Sequence, residues 1–335
     1  MTKLDVGGEI VSPPRRRLRV SPRTAWIVVA PFAVWAAARL AGADGAVPLG
    51  GVGVALMTGT PYVAATSLLA VAIARAARRT AVIVVAVAAS VLLAAVVLPR
   101  AAGSAPTVTG PPLRILTVNL FFGAGDAATV VDLVRRLRPD VLTTQELTHE
   151  AVEALDAAGV ARLLPYRHLE DGPGPSGSGI YARHPLSAAP DFVPEGGHHM
   201  PRARLALPSG PPVEIVDVHT LAPLNAPYTA QWEADLAALP AASPGVVRVL
   251  AGDFNASLDH AALRAVLGRG YADAADATGD GLTATWPANR WFPPLITIDH
   301  VLYDQRASAV RTGVHRVAGS DHLAFYAELR LPGRI

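Results

Sequence analysis

Apolar residues run almost unbroken through residues 25–43, 49–74 and 80–98, then give way after residue 113 to short runs with strand or helix periodicity. Each early stretch approaches or exceeds the ~20 residues an α-helix needs to cross a bilayer core. The first contains Pro31 and ends near Arg39, whose guanidinium must snorkel to an interface. Arg15, Arg16, Arg17, Arg19 and Arg23 precede the first stretch, and Arg75, Arg78 and Arg79 separate the second from the third. The turn near residues 43–48 holds only Asp44. The positive-inside rule therefore predicts a basic cytoplasmic segment 1–24, a three-helix transmembrane anchor over 25–98, and everything beyond it outside the cytoplasm. Three successive apolar segments, none followed by a cleavage motif, argue against a removable signal peptide. Residues 99–112, rich in Pro, Gly, Ser and Thr, read as a linker that spans ~45 Å at full extension.

From 113 to 335 the pattern predicts alternating strands and helices. Strands are expected at 113–120, 141–144, 179–182, 246–251, 296–303 and 323–329, with a hairpin from 203–207 and 213–219. Helical spacing marks 127–138, 228–239 and 260–267. Strands outnumber helices and hairpins mix with crossovers. The expected fold is α/β (α+β), two packed mixed sheets with helices outside, preceded by three transmembrane helices.

Charge is unevenly divided. Residues 1–112 carry 11 Lys+Arg against 3 Asp+Glu, a net of +8, whereas residues 113–335 carry 18 against 24, a net of −6. All 10 His lie in the second part, and Lys3 is the only lysine. The absence of Cys rules out disulfides, zinc–thiolate sites and thiol nucleophiles.

Polar residues recur where the expected strands end: Asn119, Glu146, His219, Asp253 with Asn255, Asp299, and Asp321-His322. Groups of one chemical type at strand ends suit a site built on a rigid scaffold, here for metal-assisted phosphoester hydrolysis. The set Val118-Asn119, Gln145-Glu146, Gly179-Ile180 with Arg183, Val218-His219-Thr220, Gly252-Asp253-Phe254-Asn255, Ile298-Asp299-His300 and Ser320-Asp321-His322 resembles the endonuclease/exonuclease/phosphatase superfamily, the DNase I-like hydrolases. The resemblance covers about residues 113–329 and implies a four-layer sandwich with the site at one end of the sheets.

On that resemblance, Glu146, Asn119 and Asp321 are the expected donors to Mg²⁺, with Mn²⁺ as a substitute. Asp253 would activate the attacking water, Asn255 would donate to non-bridging oxygens, and His219 would bond the phosphoryl oxygen or assist the leaving group. His322 is the expected general base, with Asp299 fixing its tautomer. Arg183 would organise the substrate side. Apurinic-site nucleases of the superfamily carry a second polar residue two positions after the Asn; Phe121 stands there, which points to a single metal. His198-His199 could line the mouth, and His300 is expected on the opposite strand face. Trp291 and Phe292, in an aromatic and Pro-rich loop, are expected to meet lipid or grip an acyl or isoprenyl chain.

The overall plan also resembles the VanJ type of actinomycete membrane protein linked to teicoplanin resistance. That implies a cell-envelope role on a lipid-linked phosphate or pyrophosphate, with the bilayer as partner. Two alternatives stand beside it: a membrane-tethered extracellular nuclease, which an acidic domain without lysine serves poorly, and a non-catalytic membrane scaffold or sensor.

Overall fold

The computed structural model describes residues 20–44, 51–189 and 197–333. Residues 1–19 of the expected cytoplasmic segment and the expected turn at 45–48 lie outside these. Ser21 caps helix α1 (Pro22–Ala41) by accepting the Thr24 N–H, and Pro22 occupies a position where its missing donor costs nothing. The second apolar stretch, expected as one helix, forms two: α2 (Gly51–Met57) and α3 (Thr60–Ala77). Pro61 lies in the first turn of α3; it cannot donate to a preceding turn, so the helix restarts there. Helix α4 (Thr80–Val97) runs into a 3₁₀ turn, Leu98–Ala101. Pro22–Ala41, Thr60–Ala77 and Thr80–Ala101 are each long and apolar enough to cross a membrane. Small residues let them approach one another: Ala25, Ala70, Ala74 and Ala86 pack together, while Ile27, Leu68, Leu69 and Val84 face outward.

The following residues form β1 (Pro112–Asn119), α5 (Ala127–Leu137), β2 (Val141–Gln145), α6 (His149–Ala158), β3 (Tyr166–Glu170), β4 (Ser178–Ala182) and β5 (Leu186–Ala188). Then come β6 (Arg202–Leu205), β7 (Val213–His219), α7 (Ala226–Ala238), β8 (Val247–Asp253), α8 (Ala261–Leu267), β9 (Tyr271–Asp273) and α9 (Ala274–Thr278). The last strands are β10 (Asp299–Asp304), β11 (Ser308–Arg316) and β12 (Leu323–Arg330). One sheet has the order β11-β12-β1-β2-β4-β3 and the other β5-β6-β7-β8-β10-β9. β1 and β2 pair in parallel, as do β7 and β8; the remaining ladders are antiparallel. The expected two-sheet sandwich is the fold. The pattern missed α6, β3, β5, β9, α9 and β11. β11, for example, is largely half-exposed and lacks apolar alternation.

Strand periodicity sorts the side chains. Leu113 and Ile115 of β1, Val213 and Ile215 of β7, Val247 and Val249 of β8, and Val301 of β10 fill the space between the sheets. Their odd-numbered successors Asn119, Asp217, His219, Asp253 and, at the other end of antiparallel β10, Asp299 share those strand faces by alternation. The intervening Val216, Val218, Leu250 and Leu302 pack outward against Trp232 and Leu236 of α7.

The N-terminal apolar helices are fastened to the domain that follows them. Asp259, buried before α8, accepts from Arg39 Nε at 2.8 Å and from Arg100 Nη1 and Nη2 at 2.8 and 2.6 Å. Arg39 thus pairs with a carboxylate and also donates to Leu258 O at 3.0 Å, where snorkelling to an interface was expected. The Pro/Gly-rich 99–112 segment lies against the domain: Ser104 N donates to Ala277 O at 2.7 Å and Thr107 N to Ser308 Oγ at 3.2 Å. Composition marks 99–112 as a linker but carries no record of its backbone groups finding partners in distant loops.

Candidate active site

Strand register brings the polar ends together. Asp253 lies opposite Asp299 across the β8–β10 ladder and opposite His219 across β7–β8. Asn119 lies opposite Gln145 at the end of β1–β2, which delivers Glu146 one residue later. Ser320 ties the 317–322 turn to β1 by donating its hydroxyl to Asn119 O at 2.7 Å and accepting the His322 N–H at 3.0 Å.

The Asn119 amide donates to Glu146 Oε1 and to Asp253 Oδ2, both at 3.1 Å, and its oxygen accepts the Phe121 N–H. Glu146 Oε2 accepts the Phe122 N–H at 2.6 Å. Asn119 lies behind the cavity and holds two carboxylates in place. Asp253 Oδ1 accepts the Asn255 N–H at 2.8 Å, and the Asn255 amide donates to Thr220 O at 2.9 Å. Phe121, Phe122, Glu146 and Asn255 all have positive φ, between 46° and 55°. Such strain in non-glycine residues persists where surrounding structure over-determines it, and it gathers at functional sites.

His322 Nδ1 lies 3.0 and 3.1 Å from the two Asp299 oxygens, while Nε2 faces Asp253 Oδ2 at 3.7 Å and Asp321 Oδ1 at 3.8 Å. Burial alone would push His322 down, but Asp299 and Asp253 outweigh it and hold the imidazolium up to about 10. Burial, reinforced by Asp299 and Glu146, raises Asp253 to about 7. Glu146 is raised mainly by burial, with Asp321 adding to it. His219, whose Nε2 is 4.0 Å from Glu146 Oε1, is pushed well down by burial and by the neighbouring His198 and His322.

These groups floor a cavity of about 520 Å³ lined by Glu146, His219, Asp253, Asn255, Asp321 and His322. Phe121, Phe122, His198 and Trp286 also line it. His198 stacks on His219 with ring centroids 4.3 Å apart, and His199 turns away to Glu170 at 3.0 Å. His300 faces Asp273 at 2.7 Å and Ala256 O at 2.9 Å, on the other side of its strand, as alternation predicted.

Three expected substrate contacts are not brought in. Arg183 donates to Pro139 O at 3.2 Å, at the opposite end of β2 from Glu146. Trp291, 96% exposed, packs edge-on against Phe292, and neither lines the cavity. Trp286 of the same loop does line it, and its indole N–H donates to Asp321 Oδ2 at 3.0 Å. Sequence reasoning also missed Asp217. Fully buried, it accepts from Thr144 N, Gly179 N and Gln145 Nε2 at 3.2, 3.0 and 2.6 Å, joining the two sheets beneath the site. Its place two residues before His219, on the same strand face, was the available signal.

Among the described residues, Asp253, Asp299 and His322 present ligand atoms within 4.8 Å of one another. Both nitrogens of His322 already face carboxylates there, which is the arrangement of a proton relay. Glu146 and Asp321 offer hard oxygen donors, and buried Asp321 Oδ1 accepts no hydrogen bond. A buried carboxylate oxygen without a hydrogen bond, near the Glu146 carboxyl, fits a small divalent cation.

A carboxylate–imidazole cluster at one end of a two-sheet sandwich defines a hydrolase-type centre. The chain belongs to the endonuclease/exonuclease/phosphatase family, whose model matches residues 116–322. Members of that family hydrolyse phosphoesters. Solved structures with the same fold include D. rerio TDP2 complexed with single-strand DNA product (TM-score 0.53, 17% identity, covering 65% of this chain and 99% of that one). An endonuclease/exonuclease/phosphatase from Beutenbergia cavernae is also similar (TM-score 0.50, 18% identity, covering 66% of this chain and 72% of that one). Truncated Caenorhabditis elegans TDP2 is a third (TM-score 0.51, 17% identity, covering 65% and 97%). No curated protein matches the chain.

Proposed function

We propose that this protein is a membrane-anchored phosphoesterase whose catalytic domain sits outside the cytoplasm and hydrolyses a lipid-linked phosphate or pyrophosphate of the cell envelope. The observation that carries this reading is the Arg39–Asp259–Arg100 cluster, which holds the hydrolytic domain directly at the ends of two apolar helices. A domain so held meets phosphates presented at the lipid surface before those in bulk solution. Arg23, Arg75, Arg78 and Arg79 lie at the other helix ends, and the positive-inside rule assigns those ends to the cytoplasm.

Glu146 and Asp321 would hold Mg²⁺ or Mn²⁺, which would neutralise phosphate charge. Asp253 takes the proton of the attacking water as its oxygen bonds to phosphorus. The bond from phosphorus to the leaving oxygen breaks, and that oxygen takes the proton of His322. Asp299 orients the imidazole, and Asn255 and His219 contact the non-bridging oxygens. His322 thereby serves as the acid, because its carboxylate neighbours, Asp299 and Asp253 foremost, favour the imidazolium.

Purified protein in detergent with Mg²⁺, assayed side by side on undecaprenyl pyrophosphate, sphingomyelin and duplex DNA, tests the proposal. The expected result is lipid-phosphate turnover that EDTA removes and that His322→Ala lowers by roughly 10²–10⁴-fold. Rapid DNA cleavage without lipid turnover would establish the tethered-nuclease alternative. No turnover of any of the three would favour a scaffold or sensor.

A further inference from the structure

Helix α2 is too short to cross a bilayer and has no place in a simple anchor. It lies instead against the catalytic domain. A Cβ on Gly51 would come within 2.1 Å of Pro223 O, so only glycine allows this approach. The buried Val54 packs with Trp232 and Phe254, and its carbonyl faces His260 Nε2 at 2.9 Å. Helix α2 and the turn after it supply Val54, Ala55 and Thr58 to the active-site cavity.

Leu221, Ala222, Pro223 and Leu224 line the same cavity. One cavity therefore joins a polar floor for phosphate to two apolar walls that have no part in hydrolysis. Its rim is apolar too: Phe122, Leu224 and Tyr228 are 53%, 77% and 44% exposed. Exposed apolar rims of this kind mark contact with lipid or an apolar ligand. The cavity lies next to the start of the apolar helix α3. α3 begins two residues after Thr58, and Tyr62 in its first turn donates to Leu295 O at 2.6 Å, beside the cavity residue Ile296.

We infer that α2 is the tail-binding wall of the active site. The apolar chain attached to the reacting phosphate lies between α2 and the 221–224 segment, entering from the lipid side, so the anchor forms part of the substrate site. This rests on the phosphoesterase reading and adds to it a chain subsite, supplied by the anchor, that selects for length.

The test measures binding of methyl-, butyl- and octylphosphonate to the full-length protein in a large-headgroup detergent, read by calorimetry, with hydrolysis of matching phosphate monoesters followed on the same samples. The wild type is expected to bind octylphosphonate roughly tenfold or more tighter than methylphosphonate. Ala55→Trp, at an exposed position on the cavity lining, and Leu224→Asp, at its exposed rim, should reduce that gain to about threefold or less. Equal affinities in the wild type, or a full gain retained in both variants, would overturn the inference. A chain-length preference without turnover would uphold the tail site and sink the phosphoesterase reading. Turnover without that preference would do the reverse.

Discussion

Replacing Asp259 by Ala removes one carboxylate from between two guanidiniums that are only 6% and 5% exposed. Arg100 loses both of its hydrogen bonds to that carboxylate, whereas Arg39 keeps Leu258 O. Breaking a buried ion pair from one side costs about 3–5 kcal/mol. The two pairs share an acceptor, so the loss falls in that range and does not double. At ~1.4 kcal/mol per factor of ten, separation of the anchor from the domain becomes roughly a hundred- to several-thousand-fold more frequent. Hydrogen exchange in detergent reads this at Ser104 and Gly281, whose amides bond across the junction to Ala277 O and Arg100 O. Both should exchange faster by up to that factor, while Thr117 and Val118 in β1 keep their wild-type rates. Replacing all three members together (Asp259→Leu, Arg39→Met and Arg100→Met) leaves no buried charge unpaired and should restore protection. The pH response has a definite sign. Burial raises Asp259, but Arg100 and Arg39 outweigh it and hold it below the ordinary carboxylate value. Its contribution is therefore complete above about pH 4 and is lost only as pH falls further, through its folded-state value. Unchanged exchange at Ser104 and Gly281 in Asp259→Ala would refute the argument that this cluster fastens the anchor.

Two further outcomes follow from the site. Asp253, held near about 7 chiefly by burial, is a base only above that value. The rate should therefore fall about tenfold per pH unit below about 7 and level off above it; a flat profile from pH 5 to 8 would remove Asp253 from that role. Gly252 has φ +154°, and a Cβ there would lie 1.9 Å from Val218 O. Gly252→Ala should lose roughly 1–3 kcal/mol through backbone strain alone, seen as a lower melting temperature; a wild-type melting curve would contradict the close packing of β7 on β8.

Local pattern was enough for much of this molecule. Unbroken apolar runs mark the three helices that are long and apolar enough to cross a membrane, because a helix in lipid must satisfy its own backbone and present apolar side chains all round. Alternation along β1, β7, β8 and β10 marks both the sandwich core and, two to four residues further along the same face, Asn119, His219 and Asp253. A strand's period of two couples core and site in a way that sequence displays directly. The polar cluster could be read for the same reason: its members sit in short motifs at strand ends.

Tertiary structure alone decided the rest. Whether Arg39 meets lipid or Asp259 depends on a partner 220 residues away, and no local pattern reports it. The same is true of Arg183, which resembles a site residue in sequence but lies at the far end of its sheet, and of Trp286, which lines the cavity while Trp291, expected to meet lipid or grip an apolar chain, does not. Residues 49–74 looked like a single span because hydropathy measures what a segment can be buried in, and α2 is as apolar as a span. What it is buried against is set by the surface of the folded domain: Pro223, Trp232 and Phe254 come together only when α7 and β8 have packed.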